Sequence, residues 1–255
     1  MRHIKLLIEY DGTNYQGWQS QKSGITIQDI LKREIFSITD EHVRLTGASR
    51  TDAGVHALGQ VAVFATCSRL PADTISRALN AKLPQDIRIL NAEEIESHFH
   101  PRYDARRKSY FYIIAMKTKQ SAFLYRYVWD VKTKLDIEAM IKASGYFKGE
   151  IDFSALRASG CSAKTSVRRV YSLDITHHRK IGFMTATIKG DFMKIRIEAN
   201  AFLRHMARNI VGTLVEVGRG RISPETVERI IESRDRRKAG PTAPSNGLFL
   251  ENITY

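Results

Sequence analysis

Cysteine is nearly absent. Cys67 and Cys161 stand far apart and outside any CxxC spacing, which gives no disulfide framework and no zinc-binding signature and fits a reducing compartment, the cytoplasm. No apolar run approaches the roughly 20 residues that cross a bilayer, and the opening Met1-Arg2-His3-Ile4-Lys5 is charged where a secretory signal would be turning apolar. No membrane association is expected. The phosphate-cradling, dinucleotide-binding and nucleophile-elbow glycine patterns are missing too. His98, His100, His177 and His178 lack further ligands at a recognisable spacing. The expectation is a chain with neither a cofactor nor a metal site. Acid is the last scarcity: 27 Asp and Glu face 40 Lys and Arg in 255 residues, a net charge of +13.

That surplus favours a polyanionic partner, because each phosphate neutralised by a cation releases condensed counterions. An apolar share of 43% is ample for a packed core, and the length suits one large domain or two modest ones.

Along the chain, residues 4–10 read as a strand ended by Asp11-Gly12. Polar loop follows, with Tyr15 and Trp18 embedded in it. Thr26 opens a helix, with Asp29 near the capping-box position and Ile27, Ile30, Leu31 and Ile38 on one face. Residues 43–45 and 60–65 read as strands around a glycine-containing loop. Asp73 is expected to cap a second helix that Pro84 stops, before a short strand at 87–90. From Lys108 the pattern repeats in kind: a strand, a helix over 136–147, a polar stretch, and strands at 167–176, 183–188 and 192–199. Asn200 is expected to cap an amphipathic helix carrying Leu203, Met206, Ile210 and Leu214 and ended by Gly218, where Gly218-Arg-Gly-Arg221 reads as a helix stop. Ser223-Pro224-Glu225 begins one more helix, and the loop 239–247 leads into a final strand. Two batches of mixed strands and helices predict an α+β fold of two halves with largely antiparallel sheets, 1–104 and 105–255.

One window carries chemistry. In Leu45-Thr-Gly-Ala-Ser-Arg-Thr-Asp-Ala-Gly-Val-His-Ala-Leu-Gly-Gln-Val-Ala-Val-Phe64 the only carboxylate is Asp52, in a small-residue loop between apolar strands. Ala48, Ala53 and Gly54 leave room for a planar substrate to approach the backbone. Arg50, two positions away, would keep the carboxylate ionised as a nucleophile or base. Taken alone, a turn aspartate bonded to local amides is the better account of Asp52.

The whole window resembles the active-site motif of the TruA family of tRNA pseudouridine synthases, around their aspartate. Other segments similar to that family follow in order: Tyr10-Asp-Gly-Thr-Asn-Tyr-Gln-Gly-Trp-Gln19, Ala105-Arg-Arg-Lys-Ser-Tyr-Phe-Tyr-Ile-Ile114, Thr165-Ser-Val-Arg-Arg-Val170, Phe202-Leu-Arg-His-Met-Ala-Arg-Asn-Ile-Val-Gly212 and Ala239-Gly-Pro-Thr-Ala-Pro-Ser-Asn-Gly-Leu248. Ser49 departs from a frequent glycine and Ser245 from a frequent alanine; both changes are conservative.

The resemblance implies the pseudouridine synthase fold, two ferredoxin- or RRM-like halves around a central cleft. It also implies a cytoplasmic homodimer, with tRNA as substrate and no cofactor, isomerising uridines at positions 38, 39 and 40 of the tRNA anticodon stem-loop. Asp52 matches the catalytic aspartate. Arg50 matches the arginine that helps extrude and hold the target nucleotide, and Tyr110 the tyrosine that packs on the target base. Arg208 matches the arginine that pairs with the catalytic carboxylate. Arg204, one helical turn before Arg208, is expected on the same face, and the flanking Met206 and Ile210 favour partial burial of both. Arg102, Arg106, Arg107, Arg168, Arg169 and Arg204 are candidate phosphate contacts. Three alternatives stay open: a non-catalytic RNA-binding protein on the same fold, a hydrolase using Asp52 as its base, and a synthase acting at other tRNA positions.

Overall fold

A computed structural model describes residues 1–116, 121–183 and 185–255. The chain forms two compact units, Met1–Arg106 with Phe249–Tyr255, and Arg107–Leu248. The boundary falls two residues from the one read in the sequence, but the last seven residues return to the first unit.

The first unit runs β1 (Arg2–Tyr10), α1 (Ile27–Thr39), β2 (Thr46–Gly47), β3 (His56–Thr66), α2 (Ala72–Lys82) and β4 (Ile87–Ile95), with β10 (Leu248–Thr254) added from the C-terminus. In β1, Ile4, Leu6, Ile8 and Tyr10 alternate inward, the period-2 pattern of a half-buried strand. β1 lies between β3 and β4, antiparallel to both; β2 pairs antiparallel with β3, and β10 pairs with β3 in parallel. The order β4-β1-β3-β2 of a βαββαβ chain is the ferredoxin-like arrangement. α1 begins as the sequence predicts: Thr26 caps it, its side chain accepting from the Asp29 amide while its hydroxyl donates to the Asp29 carboxylate.

Two expectations in this unit fail. Residues 43–45 are not a strand; pairing is confined to Thr46–Gly47. Asp73 does not cap α2. The residue before that helix is Pro71, without a side-chain cap bond, and Asp73 instead sits in the first turn, 3.2 Å from Arg77, a favourable place for a carboxylate near a helix N-terminus.

The second unit contains β5 (Arg107–Met116), β6 (Trp129–Val131), α3 (Ile137–Ser144), β7 (Gly149–Asp152), β8 (Val167–Phe183), β9 (Ala186–Ala199), α4 (Met206–Gly218) and α5 (Thr226–Ser233). Its sheet order is β6-β5-β9-β8-β7, antiparallel except for β5 and β6. Asp136 caps α3 by accepting from the Ala139 amide.

The three strands read over 167–199 are two long ones. The polar His177-His178-Arg179-Lys180 does not end β8; between His178 and Lys180 the register shifts because β9 sets Gly190 and Asp191 against Arg179 alone, one extra residue that bends the ladder without breaking it. Met184, inside the 183–188 expectation, lies outside the described residues. Asn200 does not cap α4 either: its side-chain oxygen accepts from the Ala201 and Arg169 amides, and the helix starts six residues later behind His205 in the left-handed region, φ 62°. α4 is also more enclosed than its amphipathic reading suggested. Every residue from Met206 to Gly218 is buried except Arg208.

Candidate functional site

Asp52 lies in the loop between β2 and β3, half-buried. Three sets of contacts fix that loop. Gln60, wholly buried on β3, donates to the Ser49 carbonyl at 2.7 Å and accepts from the Ser49 amide at 3.1 Å; both bonds are to main chain, so they are indifferent to serine in place of glycine. The 10–19 segment then wraps the other side. Trp18 donates from its amide to the Thr51 carbonyl at 3.1 Å, Gly54 donates to the Tyr15 carbonyl at 3.2 Å, and the Tyr10 and Thr51 hydroxyls share a 2.7 Å bond. Finally the Val55 amide closes a turn on the Asp52 carbonyl at 3.2 Å.

Gly17 shows how close this approach is. Its φ is +90°, and a Cβ there would stand 2.6 Å from the Thr51 carbonyl oxygen and 3.0 Å from the Asp52 carbonyl carbon. Only glycine satisfies both the backbone angle and the contact. Tyr15 and Trp18, embedded in what read as loose polar loop, are both buried. Tyr15 donates to the Asp86 carboxylate, and its hydroxyl pKa is raised by burial first and by Asp86 second. The loop that carries Asp52 is therefore seated on a packed segment, which suits a group that must be held in one place.

Arg50 is exposed and makes no hydrogen bond or ion pair with any described residue. The expected guanidinium–carboxylate pairing beside Asp52 is not formed by Arg50. Its side chain lines a groove of about 890 Å³ within the first unit, which Arg102 also lines. Arg106, in the same unit but not on the groove, is exposed, its amide donating to the Thr254 carbonyl at 2.8 Å.

In the second unit Tyr110 is buried on β5, its ring meeting Phe202 edge-on at 4.8 Å between centroids. Arg208 is half-buried on α4. Its Nε donates to the Ala243 carbonyl at 2.7 Å, and the Ala243 amide donates back to the Arg208 carbonyl at 3.1 Å. Arg204 does not share a helical face with Arg208. It precedes the helix, is exposed, and reaches the Ser159 carbonyl at 3.4 Å, because the left-handed His205 breaks the helical spacing on which that expectation depended.

The other candidate phosphate contacts are already engaged with protein. Arg107 pairs with Glu198 at 2.9 Å and lies 4.5 Å over the Tyr171 ring; Arg169 pairs with Glu150 at 3.2 Å; Arg168 donates to the Thr165 hydroxyl at 3.0 Å and the Val167 carbonyl at 2.6 Å. Arg107 comes first among the causes that hold the Glu198 carboxyl below its ordinary value; burial opposes it, and Arg196 and Ser109 reinforce it.

The sequence reading missed a buried network behind Arg208. Asn209, fully buried, donates to the Leu156 carbonyl at 2.7 Å and accepts from Arg236 at 3.0 Å and from Thr242 at 2.7 Å. Arg236 also reaches the Gly240 carbonyl at 2.8 Å. Burial lowers its guanidinium pKa from the usual value. Tyr112 donates to the Pro244 carbonyl at 2.7 Å. The loop 239–247 that orients Arg208 is thus itself tied down. The signal was available: an asparagine on a helix otherwise lined by isoleucine, leucine and valine needs buried partners.

A sequence model of a family described as tRNA pseudouridine synthase matches residues 6–104 and 143–255, which include Arg50, Asp52 and Arg208 but not Tyr110. Proteins named tRNA pseudouridine synthase A align end to end. The one from Acetivibrio thermocellus is 49% identical and the one from a Thermoanaerobacter species 47% identical, each over 255 residues and 100% of both chains. That of Thermodesulfovibrio yellowstonii is 43% identical over the same span. The chain belongs to the tRNA pseudouridine synthase family and is an isomerase that converts uridine in tRNA to pseudouridine.

Proposed function

We propose that this isomerase acts on uridines at positions 38, 39 and 40 of the tRNA anticodon stem-loop, as a homodimer in the cytoplasm, with Asp52 as its catalytic carboxylate. The observation that carries the assignment of Asp52 is its loop. A carboxylate held half-buried between Gln60 and the packed 10–19 segment has the fixed position that attack on the ribose or base, or removal of a ribose proton, demands. The bond from C1′ to N1 breaks, the uracil turns, C1′ joins C5, and the hydrogen on C5 leaves. That balance is redox-neutral and needs no group donor, so the reaction as proposed takes no cofactor.

In this reading Arg50 helps extrude the target nucleotide and hold it, and its lack of a carboxylate partner among the described residues supports a role on RNA. Tyr110 packs on the target base, the kind of contact an aromatic face makes with a flipped nucleotide. Arg208 pairs with the catalytic carboxylate, which its anchoring on Ala243 supports. Exposed Arg102, Arg106 and Arg204 are the better phosphate contacts. Arg107, Arg168 and Arg169 would first have to exchange the protein partners they already hold. No helix among the described residues is long and apolar enough to cross a membrane.

The experiment is tritium release. Purified protein given tRNA labelled at C5 of uracil should liberate tritium into water without added cofactor, and mapping the product should place pseudouridine at 38–40. Folded protein that bound tRNA but released none would replace the enzyme reading with the RNA-binding one. Release from other positions would move the substrate site.

A further inference from the structure

We propose that the groove bounded by α1, residues 42–47 and residues 100–103 binds an unpaired stretch of the tRNA, with phosphates on Lys32, Arg44 and Arg102 and a base on Tyr103. This rests on the reading above and deepens it by naming a binding tract beyond the Asp52 loop.

Charge is the first observation. Lys32, Arg44, Arg50 and Arg102 all line the groove, and none has a carboxylate partner among the described residues. Arg2, Lys5 and Arg77 in the same unit are paired with Glu94, Glu93 and Asp73, and of the groove's own cations Arg33 pairs with Glu34. The one acid lining the groove, Asp29, is committed to the α1 cap, accepting from the Thr26 and Ser20 hydroxyls. Four cations without a direct carboxylate partner, against that one lining acid, leave the groove net positive, and phosphates that enter it release their counterions.

The rings are the second observation. Tyr103 is 75% exposed yet oriented, with His100 stacked on it at 4.2 Å and the Arg102 guanidinium 5.9 Å from its centroid. Phe36, 37% exposed, stacks on His42 at 4.4 Å. An exposed aromatic held beside an arginine is a platform for a base. Only unpaired nucleotides offer a free face to it, so the groove suits loop or splayed nucleotides rather than a duplex. Arg50, on the same groove, makes it continuous with the loop that carries Asp52.

The test compares tRNA binding by the wild-type protein, Lys32→Ala/Arg44→Ala, Tyr103→Ala, Tyr103→Phe and, as a control away from the groove, Arg77→Ala. The slope of log K against log salt should fall by about 0.7 for each single-strand phosphate contact removed, hence by roughly 1.4 in the double variant. Tyr103→Ala should bind about 5- to 150-fold more weakly, the range for one lost base stack, and Tyr103→Phe should recover that loss. Arg77→Ala should match wild type. A double variant with the slope of Arg77→Ala, or a Tyr103→Ala protein of undiminished affinity, would overturn the proposal. Tritium release by the wild-type protein separates the two levels. If release occurs and the slopes do not change, the groove fails and the enzyme reading stands. If the slopes change and release is absent, the groove is supported and the enzyme reading fails.

Discussion

Replacing Gly17 by alanine tests whether the 10–19 segment positions Asp52. The backbone there has φ +90°, and left-handed backbone costs an L-residue about 1–2 kcal/mol. The new Cβ would also stand 2.6 Å from the Thr51 carbonyl oxygen and 3.1 Å from the Ala53 amide nitrogen. Both are main-chain atoms of the Asp52 loop and cannot rotate aside. Restoring ordinary contact moves that loop by roughly 0.5–1 Å, and misplacement of about 1 Å costs on the order of 100-fold in rate. Gly220→Ala is the matched control: its φ is +73°, but no heavy atom lies within 4 Å of the added Cβ. At about 2–4 °C per kcal/mol for a protein of this size, Gly220→Ala should lower Tm by about 2–8 °C. Its single-turnover tritium release at saturating tRNA should equal that of wild type. Gly17→Ala should lose more in Tm and fall by roughly 10- to 100-fold in that rate. Equal Tm losses and equal rates in the two variants would refute the argument, since the contact with Thr51 would then have no consequence.

Asp52→Asn should abolish single-turnover release while leaving tRNA affinity near wild type, because volume and basic surface are kept; substantial residual turnover would remove Asp52 from its role. Asn209→Ala should lower Tm by several degrees, since it orphans the Leu156 carbonyl and one bond each of Arg236 and Thr242 at about 1–3 kcal/mol per buried group. It should also lower kcat through Arg208, and an unchanged thermal scan would count against the network. Glu198 has a folded pKa held below its ordinary 4.5 by Arg107. Its contribution is complete above pH 4.5 and is lost as pH falls through the lower folded value. Denaturant midpoints measured downward from pH 6 should therefore fall less steeply in Glu198→Gln than in wild type.

The parts of this fold legible in the sequence are those whose signals are local. β1 shows its period-2 alternation, and α1 and α3 carry caps, Thr26 and Asp136, that bond as their residue types predict. The failures come from side chains whose choice among several bonds is made by tertiary contact. Asn200 has the chemistry of a cap but satisfies the Arg169 amide, 31 residues away. Asp73 is an ordinary capping residue that stands two positions past the cap, in the first turn. At the site, the importance of the Asp52 window was legible from residue types and resemblance. The reason for its partner segment was not, since Tyr15, Gly17 and Trp18 meet it through long-range contacts, backbone bonds and the Trp18 ring against Gly47, that no local pattern encodes. Lys32 and Arg44 carry no pattern in a chain with 40 basic residues. What distinguishes them is their place together on one groove with no carboxylate partner among the described residues, which only the fold reveals.

Strand β10 gives the first unit an unusual history during synthesis. Phe249 and Leu250 pair with His56 and Ala57, at the start of β3 just past the Asp52 loop, and the Phe249 ring stacks on His56 at 4.6 Å. His56 in turn accepts from the Gly12 amide at 3.1 Å, on the segment that seats the loop. A ribosome that has finished residue 106 must still make 107–248 before this edge is filled, an interval of roughly 7–28 s at about 5–20 residues per second. Through that interval β3 presents open N–H and C=O groups on a nascent chain, the kind of edge that chaperones cover. The unit begun first is completed last, and a translation product stopped short of Phe249 would contain Asp52 without the strand that closes its sheet.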